Sequence, residues 1–257
     1  MSFHNPVLLQ TACDFLAIIP GGHYIDCTLG GGGHAVEIVR RGGRVLGLDQ
    51  DPEALKACPD LDELTKVQTN FIHLAEIVTQ YQWQPVAGIL FDLGMSQHQV
   101  EQASRGFSFQ KDGPLDMRMD PALANTAATL VNQLTVDQLT KILRDFGEIP
   151  VAKSLAAKIV AARPLTATNQ LANIAGPKWS RQVFQALRIT VNDELGALET
   201  VLPQAREVLA PGGRLVIISF HSLEDRIVKH YFKDWQSLTP KPVIGEKNSK
   251  LRAYVKN

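Results

Sequence analysis

Three acids and a run of glycines are the residues best placed to do chemistry. Asp26-Cys27-Thr28-Leu29-Gly30-Gly31-Gly32-Gly33-His34 puts an acid before four glycines, Asp49 closes the run Arg44-Val45-Leu46-Gly47-Leu48-Asp49, and Asp92 closes Ala87-Gly88-Ile89-Leu90-Phe91-Asp92. Glycines after a strand let a ligand come close to the backbone, and an acid at the end of the next strand suits the hydroxyls of a ribose. Read as G-x-G-x-x-A (Gly30, Gly32, Ala35), the loop satisfies a loose dinucleotide fingerprint. An adenosine cofactor fits, and both a nicotinamide dinucleotide and S-adenosylmethionine meet these requirements. Asp26 favours the second, because a carboxylate there repels a pyrophosphate and attracts a methionine ammonium; the alternative is a turn-forming acid that caps nearby amides.

Two further segments carry polar chemistry. Arg105-Gly106-Phe107-Ser108-Phe109-Gln110-Lys111-Asp112-Gly113-Pro114-Leu115-Asp116-Met117-Arg118-Met119-Asp120 has no period and reads as a long loop. Aromatics interleaved with cations suit stacking on an unpaired base with phosphate neutralisation; the alternative is that Phe107, Phe109, Leu115 and Met117 form a small core beneath the loop. In Ser219-Phe220-His221-Ser222-Leu223-Glu224-Asp225-Arg226, His221 could shuttle a proton, or the segment could cap a helix. The chain has no hydrolase elbow, nucleotide-triphosphate loop or metal-ligand spacing. Cys13, Cys27 and Cys58 are too few and too scattered for a disulfide framework or a zinc site, which makes a reducing cytoplasm the default.

The elements that must position these residues follow from periodicity. In the first hundred residues, short apolar runs alternate with helix-like stretches, the signature of βαβ units on a parallel sheet. From about Asn125 the pattern turns helical. Thr135 and Gln138 form a capping box ahead of Leu139, Ile142, Leu143 and Phe146, and helical spacing continues through Val151, Leu155 and Ile159 to Arg163-Pro164. Further helical pattern covers 182–189 and 195–209, after which Ala210-Pro211-Gly212-Gly213 feeds a buried strand at 214–218. An α/β sheet domain at 1–104 and 195–257, interrupted by a helical insertion at 105–194, is expected, with a loop-rich tail from Leu238.

The 257 residues balance 26 basic against 26 acidic side chains. By segment the charge runs from −6 over 1–100 (5 basic, 11 acidic), through +1 over 101–205 (11 and 10), to +5 over 206–257 (10 and 5). A uniformly basic nucleic-acid coat is excluded, while one positive face is not. The longest apolar run, Leu215 to Phe220 with one Ser, is far short of a membrane span, and no basic-then-apolar leader follows Met1.

Several segments together resemble the MraW/RsmH family: His4 to Leu9, Thr28 to His34, Asp49-Gln50-Asp51-Pro52, Phe91-Asp92-Leu93-Gly94, Arg105 to Asp120, Phe184 to Ile189 with Val191-Asn192, and Ser219 to Arg226. The resemblance implies a class I, Rossmann-like methyltransferase sheet with an inserted helical domain. The implied activity is S-adenosylmethionine-dependent methylation of the N4 atom of a cytidine in 16S ribosomal RNA of the small subunit. It assigns the cofactor to Gly32, Gly33, His34, Asp49, Phe71, Asp92 and Gln99. The family commonly reads Val-Ser-Ser-Pro-Gln where this chain has Met95-Ser96-Gln97-His98-Gln99, and its tail is longer. On the substrate side, Asp116 and His221 are the candidates for catalysis, and Arg105 and Arg118, with the basic tail, for phosphate. No metal or membrane is expected. Free RNA or the assembled particle as substrate stays open, as does a homodimer. Two other readings remain: a nicotinamide-dependent oxidoreductase, and a non-catalytic RNA-binding assembly factor on the same fold.

Overall fold

A computed structural model describes residues 6–256; His4 and Asn5 of the first family-like segment lie outside them. The chain divides into two compact units, residues 1–94 with 195–257, and residues 95–194. The division falls at Gly94/Met95, earlier than the expected 104/105. The reason is local: the Lys111 ammonium donates to the Glu101 carbonyl and the Gly106 N–H to the Ala103 carbonyl, so 97–105 belongs with the loop that follows it.

The first unit opens with α1 (Leu9–Leu16), β1 (His23–Asp26), α2 (Gly33–Arg40), β2 (Arg44–Asp49), α3 (Pro52–Ala57), β3 (Leu64–Gln68), a 3-10 turn (Phe71–His73), α4 (Leu74–Gln80) and β4 (Val86–Asp92). β2 and β4 are near-continuous buried runs, as strands covered on both faces must be. Their side chains alternate between two apolar layers. Ile25, Leu46, Leu48, Ile89 and Phe91 face one core with Leu74 and Val78 of α4, while Tyr24, Val45 and Leu90 face another with Ala12, Leu16 and Ile38 of α1 and α2. α3 starts where Asp51 accepts the Glu53 N–H and Pro52 supplies the preset first turn.

The second unit holds α5 (Gln97–Glu101), a 3-10 turn (Ala103–Arg105), α6 (Ala127–Gln133), α7 (Val136–Asp145), α8 (Ala152–Ala161) and α9 (Thr168–Asn192). The Thr135–Gln138 capping box forms as read, with reciprocal bonds of 2.8 and 3.2 Å, and Leu139 and Leu143 are buried. α9 begins well before the 182–189 stretch marked by its periodicity and is broken at Gly176 (φ 71°, ψ 169°) ahead of Pro177. A single core joins α6, α7, α8 and α9 to Phe107, Leu115 and Met117 of the aperiodic loop.

The chain returns to the first unit through α10 (Glu194–Val208), β5 (Leu209–Ser219), α11 (Ser222–Tyr231), β6 (Gln236–Ser237), β7 (Val243–Ile244) and β8 (Lys250–Val255). The strand order is β3-β2-β1-β4-β5-β8-β6, with β7 beside β8; the first five strands run parallel, and β8 is antiparallel to β5. The tail is therefore not loop-rich: β8 pairs with all of Arg214–Ser219, and Leu251 and Ala253 bury on one face while Tyr254 buries on the other. Arg252 fixes it to α11 through Asp225 at 2.6 Å. Among the described residues no helix is long and apolar enough to cross a membrane.

Candidate active site

β1 lies between β2 and β4, and the chain crosses from the β3 side of the sheet to the β4 side. Loops leaving the carboxyl ends of β1 and β4 therefore run in opposite directions and open a crevice, the place where open α/β sheets bind ligands. Asp26 ends β1, Asp49 ends β2 and Asp92 ends β4, so the topology brings the three expected acids to one edge.

Thr28, which the sequence reading overlooked, ties this edge together. Its backbone N–H donates to Asp26 Oδ1 at 3.1 Å, and its hydroxyl oxygen accepts the Asp92 N–H at 2.7 Å. A Thr two residues after an Asp is a turn signature that could have flagged it. Asp49 holds the next part of the loop, accepting the Gly30 N–H at 2.8 Å and the Asp51 N–H at 2.9 Å. A carboxylate accepts about four hydrogen bonds, so loop and ribose can share it. Gly32 sits at φ +81°, and a Cβ there would lie 2.4 Å from Cys58 Sγ; a Cβ on Gly33 would lie 2.5 Å from Pro6 Cγ. Neighbouring side chains thus press the loop from behind, and only glycine fits. His34 is buried, with Nε2 3.2 Å from the Val7 carbonyl; that nitrogen carries the proton, and Nδ1 faces Asp92 Oδ2 at 3.8 Å. Phe71 meets Phe91 edge-on, and its turn is joined to the end of β2 by Asn70 Nδ2 donating to Gln50 at 2.9 Å.

The electrostatics of this edge select a cation. Asp26 is only 1% exposed, and burial, with Asp49 nearby, pushes its carboxyl up to about 7 despite the Thr28 amide. Burial pushes Asp92 up to about 8, reinforced by Asp26 and Glu224 and opposed by Lys247. Asp26 Oδ2 and Asp92 Oδ1 are buried without a hydrogen-bond partner. Two such oxygens suit a ligand carrying an ammonium and a sulfonium and oppose a pyrophosphate. The residues present therefore fit S-adenosylmethionine and not a dinucleotide.

In the same unit, His221 follows β5, with Nε2 3.2 Å from Glu224 Oε1. The other Glu224 oxygen accepts the Phe220 and His221 N–H groups at 2.8 and 3.3 Å, so Glu224 caps α11 beside the imidazole, whose two nitrogens are buried without a hydrogen-bond partner.

In the second unit the expected residues work on their own backbone. Gln99, carried over as a cofactor ligand, is buried and forms a capping box with Ser96, its side-chain oxygen accepting the Ser96 N–H at 3.0 Å. Arg118, expected on phosphate, grips both oxygens of Asp116 at 2.8 Å and donates Nη1 to the Pro121 and Leu123 carbonyls. Arg105 donates to the Arg118 and Met119 carbonyls at 3.1 and 3.0 Å. Burial alone would raise the Asp116 carboxyl, but hydrogen bonds from Arg118 outweigh it and hold it below the ordinary range. Phe107 is core rather than stacker, 4% exposed, whereas Phe109 is 38% exposed. Asn192, to which spacing and periodicity assign no role, accepts the Met119 N–H at 2.7 Å and donates to the Met117 carbonyl at 2.8 Å, and so pins the loop.

The sequence profile described as the MraW methylase family matches residues 1–256. Among curated proteins, the "Ribosomal RNA small subunit methyltransferase H" of Symbiobacterium thermophilum is 48% identical over 258 residues, covering 91% of this chain and 81% of that protein. Its namesake in Heliobacterium modesticaldum is also 48% identical, with coverage of 91% and 82%. Among solved structures, an rRNA methylase from Streptococcus thermophilus shares the class I methyltransferase fold at a TM-score of 0.50 and 11% identity, covering 100% of this chain and 99% of that one.

Proposed function

Because the chain belongs to the MraW methylase family, we propose that this S-adenosylmethionine-dependent rRNA methyltransferase acts, in the cytoplasm, on the N4 atom of a cytidine in 16S ribosomal RNA of the small subunit. The observation that carries the cofactor reading is the pair of buried, unpartnered oxygens on Asp26 and Asp92, set beside a glycine loop at the sheet's switch point.

The cofactor, when bound, supplies a methyl group made electrophilic by a sulfonium. Gly32 and Gly33 offer it bare backbone, Asp49 accepts from its ribose, Phe71 supplies an apolar ring, and Asp92 and His34 line the edge nearest its charge. Gln99 contributes by shaping α5. The exocyclic amine of cytosine is a poor nucleophile because its lone pair is delocalised into the ring, so the site must align it and take a proton late. Of the two candidates, His221 suits that task better. Its two ring nitrogens are buried and make no hydrogen bond, whereas Arg118 keeps Asp116 ionised and weakly basic. A base within structured RNA has to be unstacked before it can enter such a site. Arg105 and Arg118 then serve the substrate by holding the 105–120 loop in shape.

Asp49→Ala tests the reading. It removes two charge-assisted hydrogen bonds, each worth ~1.5–3 kcal/mol, so calorimetry should show affinity for S-adenosylmethionine and S-adenosylhomocysteine falling at least about tenfold. Transfer of labelled methyl to free rRNA and to unmethylated small subunits should be lost with it, while RNA binding persists. Binding of NADH alone, or transfer unchanged in the variant, would overturn the assignment.

A further inference from the structure

The tip of the 105–120 loop is exposed yet rigidly held. Thr168 is fully buried; its hydroxyl donates to the Lys111 carbonyl at 2.8 Å and accepts the Gly113 N–H at 3.1 Å, and its own N–H donates to the Gly113 carbonyl at 2.9 Å. The Asp112 carboxylate accepts from Asn169 Nδ2 at 2.9 Å. Gly113 passes so close to Ala103 that a Cβ would lie 1.9 Å from its carbonyl oxygen. The Gln110 N–H donates to Ser108 Oγ at 3.1 Å. These bonds fix the backbone and leave the side chains of Phe109, Gln110 and Lys111 exposed, with the Lys111 ammonium resting on the Glu101 carbonyl at 2.7 Å and two of its three N–H donors still to spare. The Phe109 ring meets Phe184 edge-on at 5.9 Å and 72°, which braces one side of it.

The ring is braced on Phe184 yet leaves 38% of the residue's surface open, so part of it is available to a partner. A braced ring followed in the chain by an exposed side-chain amide and an ammonium has the chemistry that recognises an unpaired nucleotide: a face for the base, hydrogen bonds for its edge and a charge for its phosphate. We propose that Phe109, Gln110 and Lys111 form a platform for an unpaired nucleotide of the RNA substrate, with Phe109 stacking on its base. The proposal rests on the reading of this chain as an rRNA methyltransferase and adds the residues by which it would grip single-stranded RNA.

The test is single-turnover transfer of labelled methyl to unmethylated small subunits by the wild type and by Phe109→Ala, Phe109→Leu and Phe109→Tyr. Base-aromatic stacking of the usual strength predicts that Phe109→Ala weakens apparent affinity for the subunit about 5- to 150-fold. Phe109→Leu, which keeps apolar bulk but has no ring face, should be as weak, and Phe109→Tyr should recover most of the loss. Affinity for S-adenosylhomocysteine should stay at the wild-type value in all three, and each should keep a single cooperative thermal transition, showing that they are folded. Alanine within twofold of wild type, or leucine restoring wild-type behaviour, would overturn the platform. No label in rRNA with the wild type would instead overturn the functional reading beneath it.

Discussion

Asp92 and Asp26 make the unliganded protein sensitive to pH in a definite sense. A carboxyl raised from 3.8 to about 8, or to about 7, holds its proton more tightly in the folded than in the unfolded chain. Its contribution to stability is therefore present at low pH and is lost as pH climbs from about 4 towards about 8. Thermal midpoints of the unliganded protein should fall between pH 6 and 8.5, and Asp92→Asn should flatten part of that fall; identical slopes in the two proteins would refute it. Saturating S-adenosylmethionine should also flatten the wild-type slope, because a cation favours both carboxylates. Asp26, Asp49 and Asp92 were legible in the sequence because each closes an apolar run. The Asp116–Arg118 grip was not, since two residues in an aperiodic segment carry no rule for how they turn towards each other. Glu224 was half legible, as a capping residue but not as the neighbour of the His221 ring.

The 105–120 loop owes its shape to distant elements. Asn192, at the end of α9, accepts the Met119 N–H and donates to the Met117 carbonyl, and it holds Met117 at φ +65°, a conformation unfavourable for a side chain of that size. Asn192→Ala leaves those buried groups unpaired and should cost ~2–3 kcal/mol, read as a lower denaturation midpoint in urea with faster hydrogen exchange at 115–120; an unchanged midpoint would contradict this. Such long-range clamps explain why the loop yielded no pattern, whereas α7, with its capping box and stripe of Leu139 and Leu143, could be read directly. β8 was missed for a different reason. Its alternation, Lys250-Leu251-Arg252-Ala253-Tyr254-Val255, is short and follows Pro240, Pro242 and Gly245, which drew the whole tail into a loop.

Each unit has its own apolar core, and the residues fitted to the cofactor's charge and ribose belong to the first. Saturating S-adenosylhomocysteine should therefore slow hydrogen exchange around 26–34, 49–51 and 70–73 and leave α6, α7 and α8 unchanged, as read by mass spectrometry; protection confined to those three helices would move the cofactor to the wrong unit. A ligand at 100 times its dissociation constant adds ~2.7 kcal/mol to the state that binds it. The order of strands also sets a timetable during synthesis. β4 emerges early, but its partner β5 and the strand beyond, β8, follow only after residues 95–194 have been made. The helical unit, rich in local contacts, can fold in that interval, while the open side of β4 is a strand edge ready to pair with the wrong chain. The methyl-transfer sheet is thus finished late in translation, and the nascent chain is most vulnerable to aggregation while its inserted unit is being synthesised.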